Sequence, residues 1–285
     1  MPSQREIRRR ISSVRNIKQI TRAMQFVAAS KLKRAQDATL AARPYADKID
    51  EVLADVASVL GADDHPLLAK REGGTRLIVL LSSDRGLSGS LNTNVIRRAS
   101  EEITSGSGEM RVVTVGRKGH AAMRRARVPI AATFDGFGER PDFASIIPIA
   151  RLLTDDYVAG TYSEIDLVYP RFISTLVQRP VVERLLPIES TDDDVRDGIP
   201  GRQFIFEPNP DAVLRQLLPR YVATRVFQAA LELTASFYSA QMVAMKNATE
   251  NAQDLIEDLT LTYNKVRQAN ITREMIEIAT GAEAL

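Results

Sequence analysis

The chain has 285 residues, 44% of them apolar, 6% aromatic and none tryptophan, so it supports a core but a lean one. The absence of cysteine excludes disulfides, thiol switches and cysteine metal sites, and two isolated histidines, His65 and His120, leave no zinc constellation. The net charge of +2 conceals an asymmetry: residues 1–36 carry seven arginines and three lysines against the single acid Glu6, a segment charge of +9.

Residues 3–43 contain neither proline nor glycine, which predicts a helix of about 60 Å at the usual rise per residue. Its apolar positions Ile7, Ile11, Val14, Ile17, Ile20, Met24 and Val27 are spaced by four, three, three, three, four and three. That spacing predicts an interrupted heptad seam that locally alters a supercoil. A basic N-terminus is also found in mitochondrial transit peptides, but this one contains Glu6 and runs directly into the seam. No run of 18 apolar residues marks a membrane span and no signal-like apolar core follows the start, so the chain reads as soluble. A segment of +9 suits the phosphates of nucleic acid, an anionic membrane, an acidic protein surface or plain solvation. It lacks interleaved aromatics and any nucleic-acid motif.

The texture changes near Gly73. Residues 76–83 (RLIVLLSS) read as a buried strand followed by the turn Asp84-Arg85-Gly86. Next come a helix to about Ser105, a strand at 111–115, a helix at 118–126, a strand at 129–134, a helix at 142–160 and a strand at 165–169. Strands alternating with helices predict a parallel sheet covered on both faces. Residues 175–187 read as an added strand, 191–201 as an exposed loop and 203–207 (QFIFE) as a short apolar strand or hook.

From Arg220 to Leu285 there is no proline and only one glycine, Gly281. A helix there runs roughly 90 Å, far beyond a globular helix of about 12 residues. Val222, Val226, Ala229, Leu233, Ser236, Ala240 and Val243 form a heptad seam that returns in Ala252, Ile256, Leu259, Tyr263 and Val266. Pro219, in its first turns, is positioned to kink it. The expected organisation is a helix over 1–60, an α/β domain over 73–207 and a helix over 208–285. The two terminal helices pair as a coiled coil.

Candidate chemistry is sparse. The segment from Asp84 to Ser90 follows the first strand as a nucleotide loop does, but it has neither GxGxxG order nor the Gly-Lys-Ser/Thr of a phosphate cradle. Asp192, Asp193 and Asp194 have no histidine or spaced carboxylate to complete a metal site, and Ser82, Ser83 and Ser88 have no evident base. The residues predict no catalytic site, no metal and no cofactor.

Three blocks carry a resemblance to a known family: residues 7–36 (IRRRISSVRNIKQITRAMQFVAASKLKRAQ), 82–94 (SSDRGLSGSLNTN) and 242–278 (MVAMKNATENAQDLIEDLTLTYNKVRQANITREMIEI). In that order they resemble the gamma subunit of rotary F-type ATP synthases, of bacterial type. The resemblance covers essentially the whole chain. It implies a Rossmann-like α/β domain with a long antiparallel coiled coil of the terminal helices. It further implies a non-catalytic rotor shaft that couples the rotation of a proton- or sodium-driven c ring to conformational change in a hexamer of alpha and beta subunits. The implied partners are three alpha and three beta subunits, epsilon and the c ring, with no nucleic acid and no membrane insertion. The implied place is the cytoplasmic face of the bacterial plasma membrane, held peripherally.

Carried over residue by residue, Met24, Lys31 and Arg85 face the acidic lever of beta. Arg97, at a position often basic in the family, joins them. Arg267 and Gln268 meet a loop of beta, Ile276, Ile278 and Leu285 fill an apolar bearing, and Phe204, Phe206 and Glu207 meet epsilon and the c ring. Gln241 departs from a frequent arginine and Ser88 from a frequent cysteine. The alternative from the residues alone is a basic coiled-coil adaptor for nucleic acid or anionic membrane.

Overall fold

A computed structural model describes residues 3–59, 65–71, 73–106, 108–136, 140–188 and 210–283. In chain order the elements are α1 (Gln4–Val59), β1 (Arg76–Leu81), α2 (Leu91–Ser105), β2 (Met110–Val115), α3 (Arg117–Arg125), β3 (Ile130–Phe134), α4 (Phe143–Val158), β4 (Glu164–Phe172), β5 (Gln178–Leu186) and α5 (Pro210–Glu283). They form two compact units, Met1–Ala29 with Gln241–Leu285, and Ser30–Ala240. The expected loop at 191–201 and hook at 203–207 lie outside the described residues.

The larger unit is built on a five-stranded sheet in the order β3-β2-β1-β4-β5. The first four strands are parallel and β5 returns antiparallel to β4. β1 is central, which is why its sequence is a continuous apolar run rather than an alternating one. Leu77, Val79 and Leu81 join a core with Ile146, Ile149 and Leu153 of α4 and Val222 and Val226 of α5. Ile78 and Leu80 join a second core with Val95 and Ala99 of α2 and Met123 of α3. The sheet is thus covered on both faces, and the alternation of β1 sorts its side chains between two layers.

Two prolines fail to stop the helices that contain them. α1 continues through Pro44 to Val59, and α5 passes through Pro219. Each proline removes one helical hydrogen bond. Burial on the following turns offsets that loss, through Ala46, Ile49 and Leu53 after the first and Val222 after the second.

In the smaller unit the two helices run antiparallel. Gln4 Nε2 and Arg8 Nη2 donate to Tyr263 Oη at 3.1 and 2.7 Å, Lys18 Nζ donates to Gln253 Oε1 at 2.5 Å, and the hydroxyls of Thr21 and Thr249 are 2.8 Å apart. Burial corrects the seam expected for α1. Ile17, Ile20 and Val27 are 50%, 59% and 54% exposed, whereas Lys18, Thr21, Gln25 and Ala28 turn inward with Ile7, Ile11 and Val14. Read that way the spacing is an uninterrupted four and three. Polar seam residues are accommodated because the facing helix hydrogen-bonds Lys18 and Thr21, which also pins the register.

Candidate functional site

The loop from Ser82 to Asn92 connects β1 to α2 at the carboxyl edge of the sheet, where doubly wound folds bind ligands. Here the loop is occupied with itself. Ser82 Oγ accepts the N–H of Gly119 at 2.7 Å, Ser83 O accepts that of Lys118 at 3.2 Å and Asp84 Oδ1 accepts that of Arg117 at 3.0 Å. These are the first N–H groups of α3, the donors a phosphate needs. The Asp84 carboxylate already stands where an anion would. Gly116 allows the approach: its φ is +94°, and a Cβ on it would lie 2.0 Å from Ser82 O.

Asn92 closes the other side of the loop. Its Oδ1 accepts the Ser83 N–H at 3.2 Å, and its Nδ2 donates to Ser88 Oγ at 3.3 Å. Ser83, buried, donates through Oγ to Arg85 O at 2.7 Å. Ser82, Ser83 and Ser88 are therefore structural, which agrees with the lack of a base noted in the sequence. The backbone so fixed holds Arg85 and Leu87 outward, Leu87 at φ 64° and 62% exposed.

Two recesses adjoin this edge. One, of 120 Å³, is lined by Ser83, Asp84, Arg85 and Arg117 together with Phe237 and Tyr238 of α5. The other, of 410 Å³, has Lys31, Arg34 and Arg140 around an apolar floor that includes Phe227 and Leu231. Lys31 Nζ lies 5.6 Å from the centre of the Tyr238 ring. Lys31 of α1 and Arg85 of the loop thus converge on one aromatic residue of α5, giving a basic rim on an apolar base, suited to acidic side chains.

The remaining predicted residues are dispersed. Arg97 is exposed on α2 with Nε 3.8 Å from Glu101. In the smaller unit Met24 is half-buried and Arg267 and Gln268 are exposed. Ile276 and Ile278 are 57% and 72% exposed. Phe204, Phe206, Glu207 and Leu285 lie outside the described residues. Sequence reasoning missed Tyr238, Arg117 and Leu87. Position after β2 marks Arg117, but nothing in the sequence marks a left-handed leucine.

A buried polar network ties the β4–β5 hairpin to α5. Tyr169 Oη donates to Glu183 Oε2 at 2.7 Å, Arg171 Nη2 donates to the same oxygen at 2.8 Å, and Glu232 Oε2 accepts the Phe172 N–H at 3.2 Å. Burial raises the Glu232 carboxyl above its usual range against the opposing pull of Arg171, and burial with the adjacent Glu183 pushes the Tyr169 phenol well up. Tyr169 is 5% exposed, and the network fits a brace rather than a catalytic centre. Among the described residues there is no acid, histidine or cysteine group able to hold a metal ion, and no helix is long and apolar enough to cross a membrane.

Comparison with known proteins bears on the whole chain. A family model described as ATP synthase matches residues 3–285. The ATP synthase gamma chain of Pelotomaculum thermopropionicum is 45% identical over 286 residues, covering 100% of both chains. That of Chloroflexus aurantiacus is 46% identical over 291 residues, covering 100% of this chain and 99% of its own. Among solved structures, a chain of the Euglena gracilis mitochondrial ATP synthase (OSCP/F1/c-ring) aligns with a TM-score of 0.68 at 20% identity, covering 99% of this chain and 94% of its own. A chain of the Tetrahymena thermophila enzyme (central stalk/c-ring) aligns with a TM-score of 0.60 at 24% identity, covering 80% of this chain and 99% of its own. With full-length identity at this level and a shared fold of sheet and paired terminal helices, the chain belongs to the ATP synthase gamma chain family.

Proposed function

We propose that this chain is the turning shaft of its ATP synthase and that the chemistry is done on other subunits. In this reading the terminal helices, 1–60 and 208–285, pass through a hexamer of three alpha and three beta subunits. The α/β domain, 73–207, rests with epsilon on the c ring at the cytoplasmic face of the plasma membrane. A single asymmetric shaft cannot offer one surface to three beta subunits at once, so each is biased toward a different state, and rotation by a third of a turn permutes the biases.

The observation that carries the reading is the antiparallel helix pair of the smaller unit. Its seam is filled, yet Ile17, Ile20 and Val27 remain outward beside a segment of charge +9. Such a surface calls for an acidic, partly apolar enclosure. Within it Met24, Lys31, Arg85 and Arg97 are assigned to the acidic lever of beta, Arg267 and Gln268 to a loop of beta, and Ile276, Ile278 and Leu285 to the bearing. Phe204, Phe206 and Glu207 are assigned to epsilon and the c ring.

Mixing the purified chain with separately expressed alpha and beta subunits in high salt tests this. The expected product is a complex with three alpha, three beta and one copy of this chain, with ATPase activity that requires all of them. Failure to assemble from competent partners, together with binding to nucleic acid or anionic vesicles that falls steeply with salt, would establish the adaptor instead.

A further inference from the structure

Leu87 carries a large apolar side chain on a left-handed backbone, φ 64°. L-residues other than glycine and asparagine avoid that region because Cβ crowds the following carbonyl. Its neighbour Gly86 has no positive φ, and a Cβ there would meet only Lys118 Cε and Nζ at 3.8 Å, an ordinary contact. Glycine therefore stands where the loop does not need it, and leucine where the backbone disfavours it. The other non-glycine residue of this kind, Arg127 (φ 58°), has a local reason. It follows α3 and closes its last turn, its N–H donating to Arg124 O and that of Val128 to Met123 O, each at 3.1 Å.

Nothing inside the chain uses the Leu87 side chain. It is 62% exposed and belongs to neither core. The loop that carries it is held by Ser83, Asn92 and Asp84, so the side chain is presented without an ordering cost on binding. Its surroundings are basic: Arg85 and Arg117 are exposed, and Asp84 is engaged at the start of α3.

We propose that Leu87 is a preformed apolar anchor that seats in a recess of a subunit enclosing the shaft, beside a carboxylate that takes Arg85. This rests on the shaft reading, and it names the chemistry of one contact: an apolar pocket flanked by an acid. An anchor of this kind places its binding energy at a single rigid point, as interface hot spots do.

The test measures affinity for the alpha–beta hexamer, with the melting temperature of the chain alone, for the wild type and for Leu87→Gly, Leu87→Asn, Leu87→Met and Arg85→Glu. Glycine and asparagine both tolerate the left-handed backbone, so both variants are expected to melt at or above the wild type, yet to bind about tenfold or more weakly. Methionine, apolar and adaptable, is expected to retain most of the affinity. Wild-type affinity in both Leu87→Gly and Leu87→Asn, with Arg85→Glu weakened, overturns the anchor and leaves the shaft reading intact. A wild-type chain that does not bind the hexamer overturns both.

Discussion

Asp166 has a side chain only 5% exposed, with Oδ2 2.8 Å from Arg76 Nη2 and Oδ1 2.5 Å from Arg184 Nε. Glu164 accepts from Arg184 at 2.9 Å, so two acids and two arginines balance across β1, β4 and β5. The pairing offsets the cost of burying these charges; removing one member leaves the others uncompensated. Asp166→Ala is therefore expected to lower stability by about 3 kcal/mol in urea unfolding, while Arg97→Ala, whose ion pair is solvated, changes it by less than about 1 kcal/mol. Glu232 supplies a pH signature at the same scale. Because burial raises its folded-state pKa, the folded chain holds that proton more tightly than the unfolded one. Its contribution to stability is then fully present below the ordinary carboxylate value and lost as pH rises through the raised one. Glu232→Gln should flatten the stability profile across that window, and an unchanged slope would show that Arg171 governs the site instead.

The helix pair is where sequence and structure diverge most instructively. The terminal helices, the buried strand β1 and the loop after it were legible because each signal is local: an absence of breakers, a continuous apolar run, a turn. The phase of α1 was not. Choosing the most apolar residue at each step selected Ile17 and Ile20, whereas the facing helix fixes Lys18 and Thr21 in the seam by hydrogen bonds to Gln253 and Thr249. The passage of α1 through Pro44 likewise depends on burial two to nine residues later, which no window at the proline reports. For the same reason Arg85 was readable within its block while Tyr238, brought to it from α5, was not. The corrected phase makes a prediction. Ile7→Ala, at 1% exposure, should cost about 2–4 kcal/mol, and Ile20→Gln, at 59%, should stay within about 0.5 kcal/mol. Chemical denaturation of the two variants decides, and a larger loss at Ile20 would restore the interrupted seam.

A subunit whose purpose is to be enclosed must fold without the partners that later cover it, so its apolar contacts sort into those needed for folding and those reserved for assembly. Ile276 and Ile278, 57% and 72% exposed, fall in the second class, as do Ile17 and Leu87. Every described residue from 271 to 280 is exposed, and α5 there rests on its own hydrogen bonds, including Thr272 Oγ1 to Gln268 O at 2.9 Å. Replacing both isoleucines with serine should leave the melting temperature of the isolated chain nearly unchanged, since nothing buried is lost. In the assembled complex the same change removes two apolar side chains from an enclosing surface, each contributing about 1.5 kcal/mol or more when buried. Together these correspond to roughly a hundredfold faster dissociation of the shaft, because affinity changes within one interface fall mainly on the off-rate. Dilution of labelled complexes, followed by the release of this chain, measures that rate. An unchanged rate with intact folding would mean that the end of α5 turns without touching its housing, and that the bearing function lies elsewhere on the helix pair.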